Sequence, residues 1–309
     1  MAGTPGGKDG TSLPRWLSLR LRALRAFSLP VSVLPVLVAT AAVRPIRQWD
    51  WPVLTASAIG VALLHAAGNL LNDYFDFRHG VDRAVAGDDR RPGRLLVRGD
   101  LRPRDVLAEA LACLLLAAAV TAYLLWRRGA AIGYLALATV AGLYSYTGPP
   151  LRLKYRAMGE VLIFLLFGPG LMLGAAFAQT GKAEWALLPL SSAVGCATTG
   201  ILVGNNIRDH KEEAAAGVRT LAHLAGAGPA RVLYVLLEAG AVVALAVLAS
   251  AGLAPRVLVL APLALLLLIG PLRAVWRGQR LADIDAQTAR FQTVLLCGIL
   301  AAYLLDPPG

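Results

Sequence analysis

The chain has 309 residues, of which 57% are hydrophobic, with a mean hydropathy of +0.61 and a formal net charge of +11. That is too apolar for a soluble domain of this size, and the apolar residues fall in blocks long enough to span a bilayer. The charge has no soluble basic face to sit on, which excludes nucleic acid as a partner; basic residues between spans answer instead to orientation and to the anionic inner leaflet.

Residues 1–14 are polar and contain Gly and Pro, which predicts a disordered N-terminal tail ahead of one transmembrane domain over 15–309. The tail lacks the apolar core and cleavage site of a secretory signal, so the first span is expected to be retained. Nine apolar runs follow, at about 27–43, 52–72, 105–126, 130–147, 158–179, 184–204, 230–251, 254–271 and 288–305. The first is short and holds Pro30 and Pro35; only Gly252–Pro255 separates the seventh from the eighth. The pattern predicts an all-α integral membrane protein of nine transmembrane helices around a central cavity. Spans one to four and five to eight each carry an acidic cluster after their second helix, so the expected plan is two four-helix halves plus a ninth helix. Cys113, Cys196 and Cys297 lie inside apolar runs without CxxC spacing and read as small core residues. The four histidines are scattered and form no ligand pair by spacing.

Orientation offers an independent check on the nine spans. With a cytoplasmic N-terminus, the 30 Lys and Arg divide 24 inside to 6 outside, the six being Arg44, Arg47, Arg127, Arg128, Lys182 and Arg256. A missed or invented span would scramble that bias, which is the positive-inside signature of a multi-pass cell-membrane protein. The same topology puts both acidic clusters on the cytoplasmic side.

The first cluster reads Asn69-Leu70-Leu71-Asn72-Asp73-Tyr74-Phe75-Asp76 and continues to Asp82; the second reads Asn205-Asn206-Ile207-Arg208-Asp209 and continues to Glu213. On a continuing helix, Asn69, Asp73 and Asp76 stack on one face, as do Asn205, Asp209 and Glu213. Carboxylates at the edge of a bilayer are costly unless a cation or partner offsets them, and stacked ones repel. Mg²⁺ prefers oxygen ligands and commonly bridges to phosphates, so the paired clusters point to a diphosphate at the membrane surface. One cluster alone could be an ordinary solvated helix end. Two of the same make-up on the same side argue against that. An ion-coupled transporter, the alternative from another class, would carry its acids at mid-span rather than at span ends beside arginines.

These residues resemble a known family. Asn72-Asp73-Tyr74-Phe75-Asp76, followed by Gly80 and Asp82, is similar to the first Asp-rich motif of the UbiA superfamily of intramembrane prenyltransferases, and its Gly-x-Asp ending is most like the MenA branch. The stretch from Asn205 to Asp209, on through Glu213 to Gly217-Val218-Arg219-Thr220-Leu221, resembles the second motif. Tyr144-Ser145-Tyr146-Thr147-Gly148-Pro149-Pro150, running to Lys154-Tyr155 and Gly159-Glu160, is a third match. The departures are Glu213 where the family usually has Asp, Ala26 for Pro in Arg25-Ala26-Phe27-Ser28-Leu29-Pro30, and an altered Arg91-Pro92-Gly93-Arg94.

The resemblance implies Mg²⁺ held by Asp73, Asp76, Asp209 and Glu213, which also carry the catalysis, with Asn72 and Asn206 in support. It implies that Arg25, Lys154, Arg208 and Arg219 neutralise the leaving diphosphate, and that Asn69, Asp82, Arg94 and Asn205 help to bind it. Tyr144, Tyr146 and Tyr155 are candidates to stabilise the allyl cation through cation–π attraction, interfacial anchoring being their alternative. The expected reaction is transfer of an isoprenoid chain from its diphosphate to an aromatic acceptor, 1,4-dihydroxy-2-naphthoate in the MenA branch. A UbiA-type terpene cyclase or a specialised-metabolite aromatic prenyltransferase stays open. Glu160 and Glu238 are further intramembrane acids, the first at a motif position and the second with no motif behind it.

Overall fold

The computed structural model describes residues 14–43, 48–84, 94–215, 217–279, 281 and 283–306, without the side chains of 83–84 and 211–216. The expected tail therefore lies outside the described residues except for Pro14. Eight helices are long and apolar enough to cross a membrane, or nine if one bent pair is counted as a span. Among the described residues there are no strands, only an isolated parallel bridge between Arg156 and Arg219.

The bent pair is the first element. A short helix over Arg15–Ala23 stops where Arg25 enters the left-handed region at φ 52°, and the next helix, α1 (Pro30–Ala42), leaves at 46° to it. At 1.5 Å per residue α1 reaches only about 20 Å, against the roughly 30 Å of a hydrocarbon core. The single span expected at 27–43 is thus a half-length helix plus a tilted lead-in.

The remaining spans are α2 (Trp51–Arg78), α3 (Pro103–Arg128), α4 (Ala130–Thr147), α5 (Gly159–Thr180), α6 (Leu188–Ala215), α7 (Ala227–Ser250), α8 (Arg256–Trp276) and α9 (Ile284–Leu305). Each overlaps an expected run, but α2 and α6 continue well beyond theirs, through the acidic clusters. Both are 28 residues long, so each carries its acids on a rigid extension of a membrane helix. α5 is not uniform. It opens into a π turn over Leu166–Gly170, because Pro169 has no N–H to give the ladder and its ring crowds the preceding turn. Gly168 sits in that turn, and a methyl group there would lie 2.7 Å from both the Gly195 Cα and the Ser191 carbonyl of α6. The two glycines let the backbones touch.

The main core packs Val36 and Val38 of α1, Met172 and Ala176 of α5, Leu245 of α7 and Phe291 and Leu296 of α9. A second, smaller core of Ala23, Leu70, Leu71, Leu95, Leu96 and Val106 anchors the acidic end of α2. Leu115, Trp126, Tyr134, Leu137, Leu236 and Leu266 face outward, as a lipid-exposed belt requires. The end opposite the acids is tied by Asp50, which takes Arg127 at 2.6 Å and Arg128 at 2.7 Å and caps α2 through the Val53 N–H. Burial pulls the Asp50 carboxyl up, but the Arg128 hydrogen bond, the Val53 N–H and the two guanidinium charges outweigh it and hold it below the usual range.

Candidate active site

A cavity of about 920 Å³ runs down the middle of the bundle from the acidic end. Asp73 and Asp76 line it from α2 and Asp209 from α6, so acids at least 133 positions apart in sequence face one space. All three side chains are buried. Asn69, Asn72, Asn205 and Asn206 line the same space one turn or less from these acids, and Arg25, Asp82, Arg94, Tyr146, Lys154 and Arg208 close around it.

At the first cluster Asp73 and Asp76 each have their own cation, brought from elsewhere in the chain. Arg25, on the left-handed turn before α1, donates to Asp73 at 2.5 Å. Lys154, in the connection between α4 and α5, donates to Asp76 at 2.6 Å and reaches Asn72 at 3.4 Å. The Tyr155 hydroxyl also donates to Asp76, and Asn72 donates to it at 3.1 Å, so Asp76 gathers three donors. The Tyr155 hydroxyl is held well above its usual range, chiefly by burial and then by the Asp76 charge. Among the described residues Asp82 has no ion pair; burial, with Asp76 and Asp73 nearby, pushes its carboxyl up to about 7.

The second cluster is wired differently. Arg208 donates to its own neighbour Asp209 through Nε at 2.8 Å and a terminal nitrogen at 2.9 Å, and pairs with Asp285 of α9 at 2.5 Å. Asn206 donates to Glu160 at 2.9 Å, and Glu160 also takes the Leu221 N–H at 3.3 Å. Glu160 therefore fastens the start of α5 to both the second cluster and the loop after it.

Three expected site residues stand apart from the cavity, and one is undescribed. Tyr144 is 42% exposed and packs edge-on against Phe75 at 5.7 Å, because two positions from Tyr146 along a helix is about 200° around it. Arg219 is exposed and bridges to Arg156 through its backbone. Tyr155 does not line the cavity but bonds Asp76 and lies beneath Lys154 Nζ, 5.8 Å from its ring centroid. The side chain of Glu213, and Arg91-Pro92-Gly93, lie outside the described residues. Sequence reasoning passed over Asp285, whose only signal was a pair of acids heading the last span, and His65, a polar residue in the middle of α2 that lines the cavity. It also missed the stacking of His210 on His223, whose ring centroids are 4.3 Å apart.

Among the described residues, no three of His, Cys, Asp or Glu are close enough to hold a metal ion by themselves. Two buried oxygens in the cavity wall, Asp82 Oδ2 and Asn205 Oδ1, have no hydrogen-bond partner. Oxygens, orphaned and facing fixed cations, suit a hard cation bridged to an anionic ligand, which needs only one or two protein carboxylates. Below the acids the wall turns apolar, with Val61, Leu64, Leu135, Leu143 and Leu166. The geometry joins a mouth of acids and fixed cations to a largely apolar interior.

Known proteins share this plan. The UbiA prenyltransferase family model matches residues 32–300. The UbiA prenyltransferase domain-containing protein 1 of Danio rerio is 34% identical over 294 residues, covering 93% of this chain and 84% of that protein. A 1,4-dihydroxy-2-naphthoate octaprenyltransferase of Mycobacterium tuberculosis is 31% identical over 295 residues, covering 94% and 97%. Among solved structures, a UbiA homolog from Archaeoglobus fulgidus bound to GPP and Mg²⁺ superimposes with a TM-score of 0.65 at 18% identity, covering 93% of this chain and 100% of that one. The apo UbiA homolog from Aeropyrum pernix K1 gives 0.67 at 19% identity, covering 95% and 100%. With one family model spanning most of its length and relatives matched nearly end to end, this chain belongs to the UbiA prenyltransferase family.

Proposed function

We propose that the chain is a Mg²⁺-dependent transferase that moves an isoprenoid chain from its diphosphate to an aromatic acceptor, 1,4-dihydroxy-2-naphthoate, in a cavity open to the cytoplasmic side of the cell membrane. The observation that carries this reading is the meeting of both acid clusters and three fixed cations at the mouth of one apolar cavity. The A. fulgidus homolog bound to GPP and Mg²⁺ supports the donor and the metal, and the M. tuberculosis octaprenyltransferase supports the acceptor. The positive-inside bias supports the orientation.

Asp73, Asp76 and Asp209 would hold the metal, with Asp82, Asn205 and, by the resemblance, Glu213 adding oxygens. Mg²⁺ when bound supplies the charge that offsets the departing diphosphate. Arg25, Lys154 and Arg208 are already fixed at the mouth and add positive charge where negative charge develops as the C–O bond breaks. The leucines and Val61 below exclude water, so the allyl fragment meets the acceptor before water can capture it. Tyr146 faces the cavity and offers its ring to the cationic fragment.

The test is to incubate purified protein with geranyl, farnesyl or longer diphosphates, dihydroxynaphthoate and Mg²⁺, and to weigh the products. A prenylated naphthoate that disappears with EDTA and returns with Mg²⁺ is the expected result. Diphosphate release without acceptor, giving a cyclic hydrocarbon, would replace the transferase by a cyclase. No release from any donor would sink the enzyme.

A further inference from the structure

Midway down the cavity, two helical turns from Asp73, an imidazole interrupts a wall otherwise made of apolar side chains and a few hydroxyls. His65 lies on the face of α2 that also carries Asn69 and Asp73, at steps of four, and so about 12 Å along the helix from Asp73. Its Nδ1 is 2.8 Å from the Ser32 hydroxyl of α1, and its Nε2 is 3.3 Å from the Ser28 hydroxyl. The ring stands edge-on to Phe167 of the π turn, with centroids 5.3 Å apart. Deeper on α2, Ser57 lines the same cavity with a buried hydroxyl oxygen that has no partner.

The proton inventory sets the direction of these bonds. Ser32 gives its single proton to the Leu29 carbonyl at 3.0 Å, so it accepts from His65 Nδ1–H. That leaves the ring's lone pair on Nε2. Ser28 likewise gives its single proton to the Arg25 carbonyl at 2.8 Å, so both serines can only accept from the ring. The ring's one N–H goes to the nearer oxygen, Ser32 at 2.8 Å rather than Ser28 at 3.3 Å. The Nε2 lone pair is therefore held in a fixed direction without a committed donor, in a wall of apolar side chains and scattered hydroxyls. An isoprenoid tail has nothing to offer it. A hydroxyl on an aromatic ring does.

We propose that His65, oriented by Ser32 and flanked by Phe167, forms the binding site for a ring hydroxyl of the aromatic acceptor, with its Nε2 accepting the hydroxyl proton in a hydrogen bond. This rests on the transferase reading and deepens it. A diphosphate at Asp73 leaves about two turns of α2 before His65, a gap suited to one flat ring system laid against the allyl carbon. The Phe167 edge gives the ring a flat neighbour, and the hydroxyl fixes which ring carbon faces the donor. The same backbone joins the two ends: Ser28 bonds the carbonyl of Arg25, whose guanidinium holds Asp73.

The experiment compares wild type with His65→Phe, His65→Gln and Ser32→Ala in detergent, measuring donor KM, acceptor KM and diphosphate release without acceptor. Two acceptors are used, dihydroxynaphthoate and a naphthoate lacking the ring hydroxyls. His65→Phe is expected to lower kcat/KM for the hydroxylated acceptor on the order of a hundredfold, with acceptor-free release and donor KM unchanged. The wild-type preference for the hydroxylated ring is expected to shrink by the same factor. Ser32→Ala, which frees the tautomer, is expected to lower acceptor kcat/KM about tenfold, and His65→Gln, which restores an acceptor, to recover part of the loss. Equal transfer by wild type and His65→Phe, or a loss that falls on donor KM, would overturn the proposal while leaving the transferase reading intact. Absence of diphosphate release from wild type would instead sink the reading beneath it. A loss of His65→Phe to misfolding is recognised by its melting curve, and Ser32→Ala, lying in α1 rather than α2, then decides alone through the same acceptor-specific split.

Discussion

The two acid clusters look alike in sequence and are wired in opposite ways. On α2 each carboxylate has a separate cation, Arg25 for Asp73 and Lys154 for Asp76, drawn from residues 48 and 78 positions away. On α6 one guanidinium, Arg208, serves both Asp209 beside it in sequence and Asp285 from α9. The first arrangement is divided: losing one cation leaves the other acid still paired. The second is shared, so losing Arg208 removes an ion pair from two acids at once. Similar motifs on the two halves of a bundle therefore need not be equally robust.

The largest test of this contrast is at the acids themselves. On the proposed reading, Asp73→Asn and Asp209→Asn are each expected to lower kcat on the order of 10²- to 10³-fold, because each removes a negative charge that would face the metal. Measured turnover with a fixed donor checks this, and a mild effect at either position would mean that only one cluster binds metal. The next effect separates the wiring. Arg208→Met is expected to cost about 3 kcal/mol of stability, since it removes the doubly bonded cation of buried Asp209 and the ion pair that ties α6 to Asp285 of α9. Lys154→Met should cost clearly less, because Asp76 keeps Tyr155 and Asn72. Melting temperatures of the two variants in the same detergent compare them directly, and equal shifts would break the distinction. The smallest effect concerns how each acid-bearing helix is seated. Gly168→Ala pushes a methyl group into the backbone of α6 and is expected to cost about 1–3 kcal/mol. Gly60→Ala on α2 meets only the end of the Val120 side chain at 3.2 Å and should cost less than about 1 kcal/mol.

Much of this was legible in the chain. Hydropathy blocks placed the helices, since a span must satisfy its own backbone in hydrocarbon and so announces itself by length and composition. Spacing of four placed Asn69, Asp73, Asn205 and Asp209 on the faces they occupy. What stayed hidden depended on neighbours distant in sequence. Arg208 and Asp285 are 77 positions apart, and nothing local in either marks the other. His65 read as an isolated histidine because its partners, Ser28 and Ser32, come from a different helix. Tyr144 and Tyr146 looked equivalent, and only the turn of α4 separates the one that lines the cavity from the one that packs on Phe75. The first span misled because its apolar run says nothing of the left-handed residue at its head.

That left-handed residue is one of three. Arg25, Arg152 and Ala157 are the non-glycine residues described with positive φ, at 52°, 48° and 55°, and all three lie in the connections that deliver side chains to the acidic mouth. A side chain in that region carries a cost of about 1–2 kcal/mol, so the mouth is assembled under tension while the helical belt in the lipid is at rest. Relaxing it would make a firmer protein and a poorer cradle. Natural variation that trades durability for turnover in such a molecule has three small levers, and all of them sit at the rim rather than in the bundle.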